Sequence, residues 1–215
     1  MRFGVDEAGK GPVLGSMFAA CVRAPDGVLP EGVADSKRLS PTRRERLDAV
    51  IRETDRASVG VAEIPVDAID GDEDMNTLTV SAHAAAIDAA AVDGDEGLCD
   101  AGDISEARFA RRVADACSRT VSVDAEHGAD DADAHVAAAS VVAKVARDAH
   151  VAALAERYGD EYGPVGSGYP SDPATRAFLR TYVDEHGELP GCARASWSTS
   201  TDVLAAAEQS ALEEF

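Results

Sequence analysis

The chain lacks the long apolar segments that a membrane protein needs. Its apolar runs are only a few residues long, whereas a membrane-spanning helix takes about 20. The opening MRFGVDEAGK does not follow the order of charged region, apolar region and cleavage site that marks a signal peptide. We therefore expect a cytoplasmic protein with no membrane attachment.

Cysteine is scarce and widely spaced. The four cysteines, at positions 21, 99, 117 and 192, form no CxxC pair. The spacing that a zinc-thiolate site or a disulfide framework needs is therefore missing. We expect these cysteines to be small core side chains in a reducing compartment.

Positive charge is also scarce. Lys and Arg number 20 against 40 Asp and Glu, which gives a formal net charge of −20 at pH 7. At ordinary salt, a field of that sign repels nucleic acid. The carboxylates are spread through the chain and lysine is nearly absent, as in proteins of extreme halophiles. In molar salt the Debye length falls to about 3 Å, so the charge does not exclude a phosphate backbone as a partner.

Length and periodicity predict one mixed α/β domain. The 215 residues, 45% of them apolar, can bury one full-sized core. Two strand patterns flank the short segment EAGKGP, which predicts an antiparallel hairpin. Strand and helix patterns then alternate, as in a mixed sheet flanked by helices. Strands are expected at 2–6, 13–22, 57–64, 97–100 and 119–126, and helices at 39–53, 76–92, 106–117 and 134–158. Helices over about 173–215 are expected to form a small appendage to the single domain 1–215.

Acidic residues follow three of the predicted strands. Asp6 and Glu7 end the first strand, Asp100 ends a short strand, and Asp130 lies just beyond the last strand. The ends of three strands in one sheet can converge. Hard oxygen ligands without nearby cysteine or histidine ligands suit Mg²⁺ or Mn²⁺, and such a site indicates two-metal phosphoryl transfer. The alternative for any one of 40 acidic residues is a solvated surface position.

Five short motifs stand in order along the chain: VDEAGKGP at 5–12, DSKRL at 35–39, EHGAD at 126–130, AASVVAKVARD at 138–148 and GSGYPSD at 166–172. Together they resemble the motifs of the ribonuclease HII family. A further segment, PGCARASWST at 190–199, extends the similarity nearly to the end. The resemblance implies an RNase H-like fold and an endonuclease that hydrolyses the RNA strand of RNA/DNA hybrids. It also implies cleavage on the 5′ side of ribonucleotides embedded in duplex DNA, leaving 5′-phosphate and 3′-hydroxyl ends.

The resemblance also implies roles for individual residues in catalysis and metal binding. The metal-binding carboxylates correspond to Asp6, Glu7, Asp100 and Asp130, which would hold two divalent ions, Mg²⁺ or Mn²⁺, together with substrate. His127, although close to Asp130 in sequence, has no such role in the family and is interpreted as structural.

Other residues match family positions that contact substrate. The segment Gly9, Lys10, Gly11 matches a glycine-basic-glycine turn whose backbone approaches the ribonucleotide 2′-hydroxyl. Lysine stands where arginine is usual, which keeps the charge but loses the bidentate fork. Tyr169 matches a tyrosine that stacks at the ribose beside the cleaved bond. Positions near the substrate backbone correspond to Lys37, Ser140 and Lys144, with simple pairing along one helix as the alternative for the last two.

Two other classes of function are weighed against this nuclease. GVDEAGKG at 4–11 nearly matches a phosphate-binding loop, but Gly11 has no hydroxyl for Mg²⁺ and Pro12 has no amide. A non-catalytic module that binds hybrids by shape is the other alternative. Ribonuclease HIII shares the fold but carries an extra N-terminal domain, so ribonuclease HII is favoured. We expect a monomer whose partners are these duplexes, with a sliding clamp as an unproven further partner.

Overall fold

A five-stranded mixed sheet forms the centre of the computed structural model, which describes residues 1–33 and 39–213. The strands lie in the order β3-β2-β1-β4-β5. β1 and β2 pair antiparallel, as the predicted hairpin requires, and so do β2 and β3, whereas β4 is parallel to both β1 and β5. The predicted mixed α/β sheet is confirmed. The strands are β1 Arg2–Ala8, β2 Met17–Ala24, β3 Ser58–Ile64, β4 Glu96–Asp100 and β5 Ser122–Glu126.

Seven α-helices lie in the described part of the chain, and several begin at a capping side chain. Asp74 accepts hydrogen bonds from the amides of Asn76 and Thr77, which satisfies donors that have no partner within the helix. No helix of the described residues combines the length and apolar character that a bilayer crossing requires. The helices are α1 Pro41–Glu53, α2 Val66–Ile69, α3 Met75–Ala90, α4 Glu106–Ala116, α5 Ala134–Tyr162, α6 Pro173–His186 and α7 Ser198–Glu213.

One local prediction was wrong, and one short element was not predicted. The second strand begins at Met17 and not at residue 13, because the amides of Val13 and Leu14 donate to the carbonyl of Gly168, at 2.8 and 3.2 Å. These apolar side chains pack in a cluster of loop and helix residues instead of a sheet. The four-residue helix α2 was not predicted, since one turn is too short to show a helical period.

The chain forms two compact units. The first contains Met1–Ala8, Met17–Ile64 and Asp74–Arg147, and so the whole sheet. In this unit β1 touches the start of α5 closely: a Cβ on Gly4 would lie 2.1 Å from the backbone nitrogen of Val136. Only glycine permits that approach. The core around it includes Ala20, Val22, Ile51 and the alanines and valines of 137–143.

The second unit contains Gly9–Ser16, Pro65–Glu73 and Asp148–Phe215. Its core joins Val13 and Leu14 to apolar residues of the last three helices. Much of that core is aromatic, with rings in tilted or edge-on contact, an arrangement favoured by the ring quadrupole. The aromatic residues are Tyr158, Tyr162, Phe178 and Tyr182.

Candidate active site

Strand register brings the ends of three strands together in the first unit. Val5 pairs with Cys99 in the parallel β1–β4 ladder, so Asp6 and Asp100 follow at matching positions. A 3₁₀ turn at Ala129–Asp131 follows β5 and carries Asp130, which is buried. The amide of Ala129 donates to Asp100 Oδ1 at 3.0 Å, which ties this turn to the end of β4.

Asp6 is a buried carboxylate in a strongly negative environment. Burial first, and then the charge of Glu7, raise the pKa of Asp6 to about 7. Asp100 adds to this effect, whereas a hydrogen bond from Ser140 and the charge of Lys144 lower the pKa. Desolvation and repulsion thus both disfavour the ionised form of Asp6.

Asp100 experiences the same repulsion from other members of the cluster. Burial raises its pKa, as do the charges of Asp130 and Glu7, while hydrogen bonds from the Ala129 and Gly128 amides lower it. Carboxylates that raise one another's pKa repel, and a divalent cation relieves such repulsion. The oxygen donor set and its charge therefore fit Mg²⁺ or Mn²⁺.

The carboxylate oxygens make hydrogen bonds within the protein. Asp6 Oδ1 accepts from the Glu7 amide at 2.7 Å, and Asp100 Oδ1 accepts from Ala129. Over residues 1–33 and 39–213, no three Asp, Glu, His or Cys side chains are already arranged to hold an ion.

Ser140 and Lys144 lie beside Asp6. Lys144 Nζ donates to Ser140 Oγ one helical turn away, as the spacing predicted, and Ser140 is fully buried. Both also act on Asp6, Ser140 through a hydrogen bond and Lys144 through its charge. Their contacts thus stabilise the ionised carboxylate, and their predicted proximity to the substrate backbone stays a prediction. Lys37 lies outside the described residues.

His83 is a neighbour of the carboxylates that the sequence analysis missed. Its Nε2 lies 2.8 Å from Glu7 Oε2, and its ring is fully buried and edge-on to Phe109. The available signal was a histidine on the apolar face of α3, since a buried polar side chain needs a hydrogen-bond partner.

His127, which the sequence analysis interpreted as structural, makes contacts through both ring nitrogens. Its Nδ1 lies 2.8 Å from Glu106 Oε1, and its Nε2 lies 2.9 Å from the carbonyl oxygen of Asp103. The hydrogen bond with Glu106 is the main cause of a raised His127 pKa. These bonds hold the chain just before the turn that carries Asp130.

In the second unit, Arg194 holds the glycine-lysine-glycine turn. Its guanidinium is fully buried and donates to three carbonyl oxygens: Gly9 at 2.6 Å, Lys10 at 3.0 Å and Gly15 at 2.8 Å. Gly9 has a φ of 92°, a conformation that side chains disfavour. The sequence analysis assigned Arg194 no site role, yet three charge-assisted hydrogen bonds fix the backbone of the turn.

Tyr169 lies next to this turn. A Cβ on Gly11 would be 3.8 Å from Tyr169 Cε1, and the Tyr169 side chain is 40% exposed. The indole Nε1 of Trp197 donates to the Gly11 carbonyl oxygen at 3.3 Å, and the Arg194 guanidinium lies 4.8 Å from the Trp197 ring centre. The structure thus brings together the residues predicted to contact the ribose, with Trp197 as part of their support.

Comparison with known proteins identifies the family. The ribonuclease HII family model matches residues 3–200. The ribonuclease HII of Haloarcula marismortui is 66% identical over 216 residues and covers all of both chains. That of Halobacterium salinarum is 63% identical and covers 100% of this chain and 99% of its own.

Solved structures agree with the sequence relatives. Ribonuclease H2 from Pyrococcus horikoshii OT3 has a TM-score of 0.86 at 31% identity, covering 97% of this chain and 99% of its own. RNase HII from Archaeoglobus fulgidus, solved as a complex with PCNA, has a TM-score of 0.80 at 33% identity, covering 94% and 96%. Bst-RNase HIII in complex with Mn²⁺ covers 97% of this chain and 70% of its own, with a TM-score of 0.76 at 20% identity, and shows the fold alone.

The fold and these similarities define a nuclease of the RNase H fold. The chain belongs to the ribonuclease HII family, endoribonucleases that act on RNA/DNA hybrids. The resemblance found in the sequence motifs is confirmed, and a phosphate-binding-loop nucleotide hydrolase has no support.

Proposed function

We propose that this protein cuts the RNA strand of RNA/DNA hybrids, and the 5′ side of ribonucleotides embedded in duplex DNA, with two divalent ions. Asp6, Glu7, Asp100 and Asp130 would hold the ions. The observation that carries the proposal is the meeting of three strand ends, where neighbouring carboxylate charges raise the pKa of Asp6 and of Asp100. Enzymes of the RNase H fold use divalent metals, and the Mn²⁺ complex of Bst-RNase HIII is one example.

The carboxylates, and the side chains beside them, are proposed to have different tasks in this reaction. Two divalent ions held by Asp6, Glu7, Asp100 and Asp130 would supply an activated water and charge stabilisation of the leaving 3′ oxygen, which would give 5′-phosphate and 3′-hydroxyl ends. Asp6 must be ionised to bind, which the Ser140 hydrogen bond and the Lys144 charge favour. Lys37, Ser140 and Lys144 are also proposed to lie near the substrate backbone.

Ribose recognition is proposed for residues 9–11 and Tyr169. The backbone of Gly9, Lys10 and Gly11 would contact the 2′-hydroxyl, since glycine leaves room for a sugar to approach. Tyr169 would stack at the ribose beside the cut bond. Its exposed ring and its position beside Gly11 support this role.

The function can be tested on a DNA duplex with one ribonucleotide, in molar KCl with Mg²⁺ or Mn²⁺. We expect the wild type to cut on the 5′ side of the ribonucleotide, with activity lost in EDTA. Asp130→Asn should lose nearly all cleavage, because one charged metal ligand is removed. Asp131→Asn is the matched control: it makes the same charge change on the exposed neighbour in the same turn, and should cut normally.

Other results of this assay would contradict the proposal in distinct ways. If the wild type binds the duplex but does not cleave it, the protein is a non-catalytic hybrid-binding module. Equal loss of activity in both variants would indicate that the turn, and not the Asp130 carboxylate, is what matters. A wild type that neither cleaves nor binds the duplex would rule out the proposed substrate.

We also propose that residues 1–215 form a single catalytic domain, in which about 173–215 are a helical extension. The protein is further proposed to be a cytoplasmic monomer that binds a sliding clamp. The Archaeoglobus fulgidus relative was solved with PCNA, and Leu212 of α7 offers an apolar contact, being 77% exposed. Light scattering with the clamp from a halophilic archaeon should show a complex with wild type that Leu212→Ala weakens. A dimer without the clamp, or no complex with it, would contradict these proposals.

A further inference from the structure

His83 is a buried side chain that contacts Glu7 in the carboxylate cluster, and the proposed reaction gives this contact no role. It lies on α3 with its ring fully buried, and its Nε2 lies 2.8 Å from Oε2 of Glu7. A carboxylate only accepts hydrogen bonds, so the hydrogen in this contact is on the histidine Nε2. Glu7 is therefore held at a named oxygen by a side chain from another element.

Packing holds the His83 ring in place. Phe109 of α4 meets it edge-to-face, with ring centres 5.1 Å apart and an angle of 84° between the planes. A buried ring packed in this way cannot swing out with the carboxylate. The position of Nε2 is set by α3 and α4, and Glu7 must adapt to it.

The other ring nitrogen has no comparable role. In the described part of the chain, Nδ1 of His83 is buried and has no hydrogen-bond partner. An unpaired buried polar atom is unfavourable, so a histidine here is a poor choice for packing alone. The contact with Glu7 accounts for a polar ring at this position.

We infer that His83 is a positioning residue, which donates a hydrogen bond from Nε2 to Glu7 Oε2 and so sets the orientation of this metal-binding carboxylate. The inference rests on the proposed function, since it takes Glu7 as a ligand. Groups that orient metal ligands in this way commonly change metal affinity by about 10- to 100-fold when they are removed.

Three substitutions separate the hydrogen bond from the packing. His83→Phe keeps a buried ring and removes both nitrogens. His83→Gln places an amide NH₂ near the position of the lost Nε2, whereas His83→Asn reaches only the position of Nδ1. Since Nδ1 has no partner in the described structure, only the Gln variant is expected to restore the contact with Glu7.

The measurement is Mn²⁺ binding by calorimetry in molar KCl without substrate, with Asp6→Asn defining binding elsewhere on this acidic chain. We expect Mn²⁺ affinity at the Asp6-dependent site to fall about 10- to 100-fold in the Phe and Asn variants. The Gln variant should stay near the wild type. Single-turnover cleavage as a function of Mn²⁺ should show the same order, and thermal melts would verify that each variant is folded.

The outcomes distinguish this inference from the proposed function. Wild-type affinity in a folded Phe variant would overturn the role of His83 while leaving the metal site intact. Equal weakening in folded Phe, Asn and Gln variants would indicate a packing role only and would also overturn it. If the wild type binds no Mn²⁺ beyond Asp6→Asn and does not cleave, the proposed function itself fails.

Discussion

Some buried side chains in this protein hold backbone or side-chain groups of other segments in place. Arg194 illustrates this, because its three donors hold the carbonyls of Gly9, Lys10 and Gly15 in one arrangement. A lysine carries the same charge but has one ammonium group, which cannot reproduce a planar fork. The backbone of the turn therefore depends on the shape of the guanidinium.

We expect Arg194→Lys to reduce kcat/KM on the embedded ribonucleotide by about 10- to 100-fold, because a small displacement of a substrate-contacting group has effects of this size. Carbonyl groups left unpaired should also lower the free energy of unfolding by about 1–3 kcal/mol. Arg180→Lys, on an exposed face of α6, is the control. Unchanged cleavage in Arg194→Lys would show that the turn keeps its shape without the fork.

At the scale of helices and strands, local signals predicted most elements. The hairpin, the alternation and the long helix α5 follow from apolar periodicity. The start of β2 does not, because Val13 and Leu14 look like strand residues whichever partner takes them. Their partner is the loop carbonyl of Gly168, more than 150 residues away, and no local pattern encodes that distance.

The carboxylate site was predictable only in part, because local signals mark some of its residues and not others. Asp6, Asp100 and Asp130 are marked by strand ends and motifs that a sequence displays. His83 and Arg194 are not, because their importance comes from contacts between distant segments. A buried histidine or arginine within an apolar pattern is the sign to look for.

The whole molecule carries a formal net charge of −20, and its relatives include ribonuclease HII of halophilic archaea. Repulsion over this surface is long-ranged in dilute salt, where the Debye length is about 10 Å at 0.1 M, and short-ranged at about 3 Å in 1 M salt. Folding brings these charges together, so screening stabilises the folded state.

We therefore expect the melting temperature and the cleavage rate to rise when KCl increases from about 0.1 M to molar concentration. Circular dichroism melts and single-turnover cleavage at each concentration measure the two effects separately. Potassium glutamate at equal ionic strength is a control for specific chloride effects. Higher stability and activity in dilute salt would contradict this account of the acidic surface.

Gly4 has a consequence for how the carboxylates can respond to their ligands. The backbone of β1 rests directly on the backbone of α5 at His135 and Val136. There is no side chain between them to compress or to rotate aside. We therefore expect Asp6 and Glu7 to adjust mainly through their side-chain torsions, which change faster than helices shift. On this view β1 stays in place when ligands bind, and only the carboxylates of Asp6 and Glu7 move.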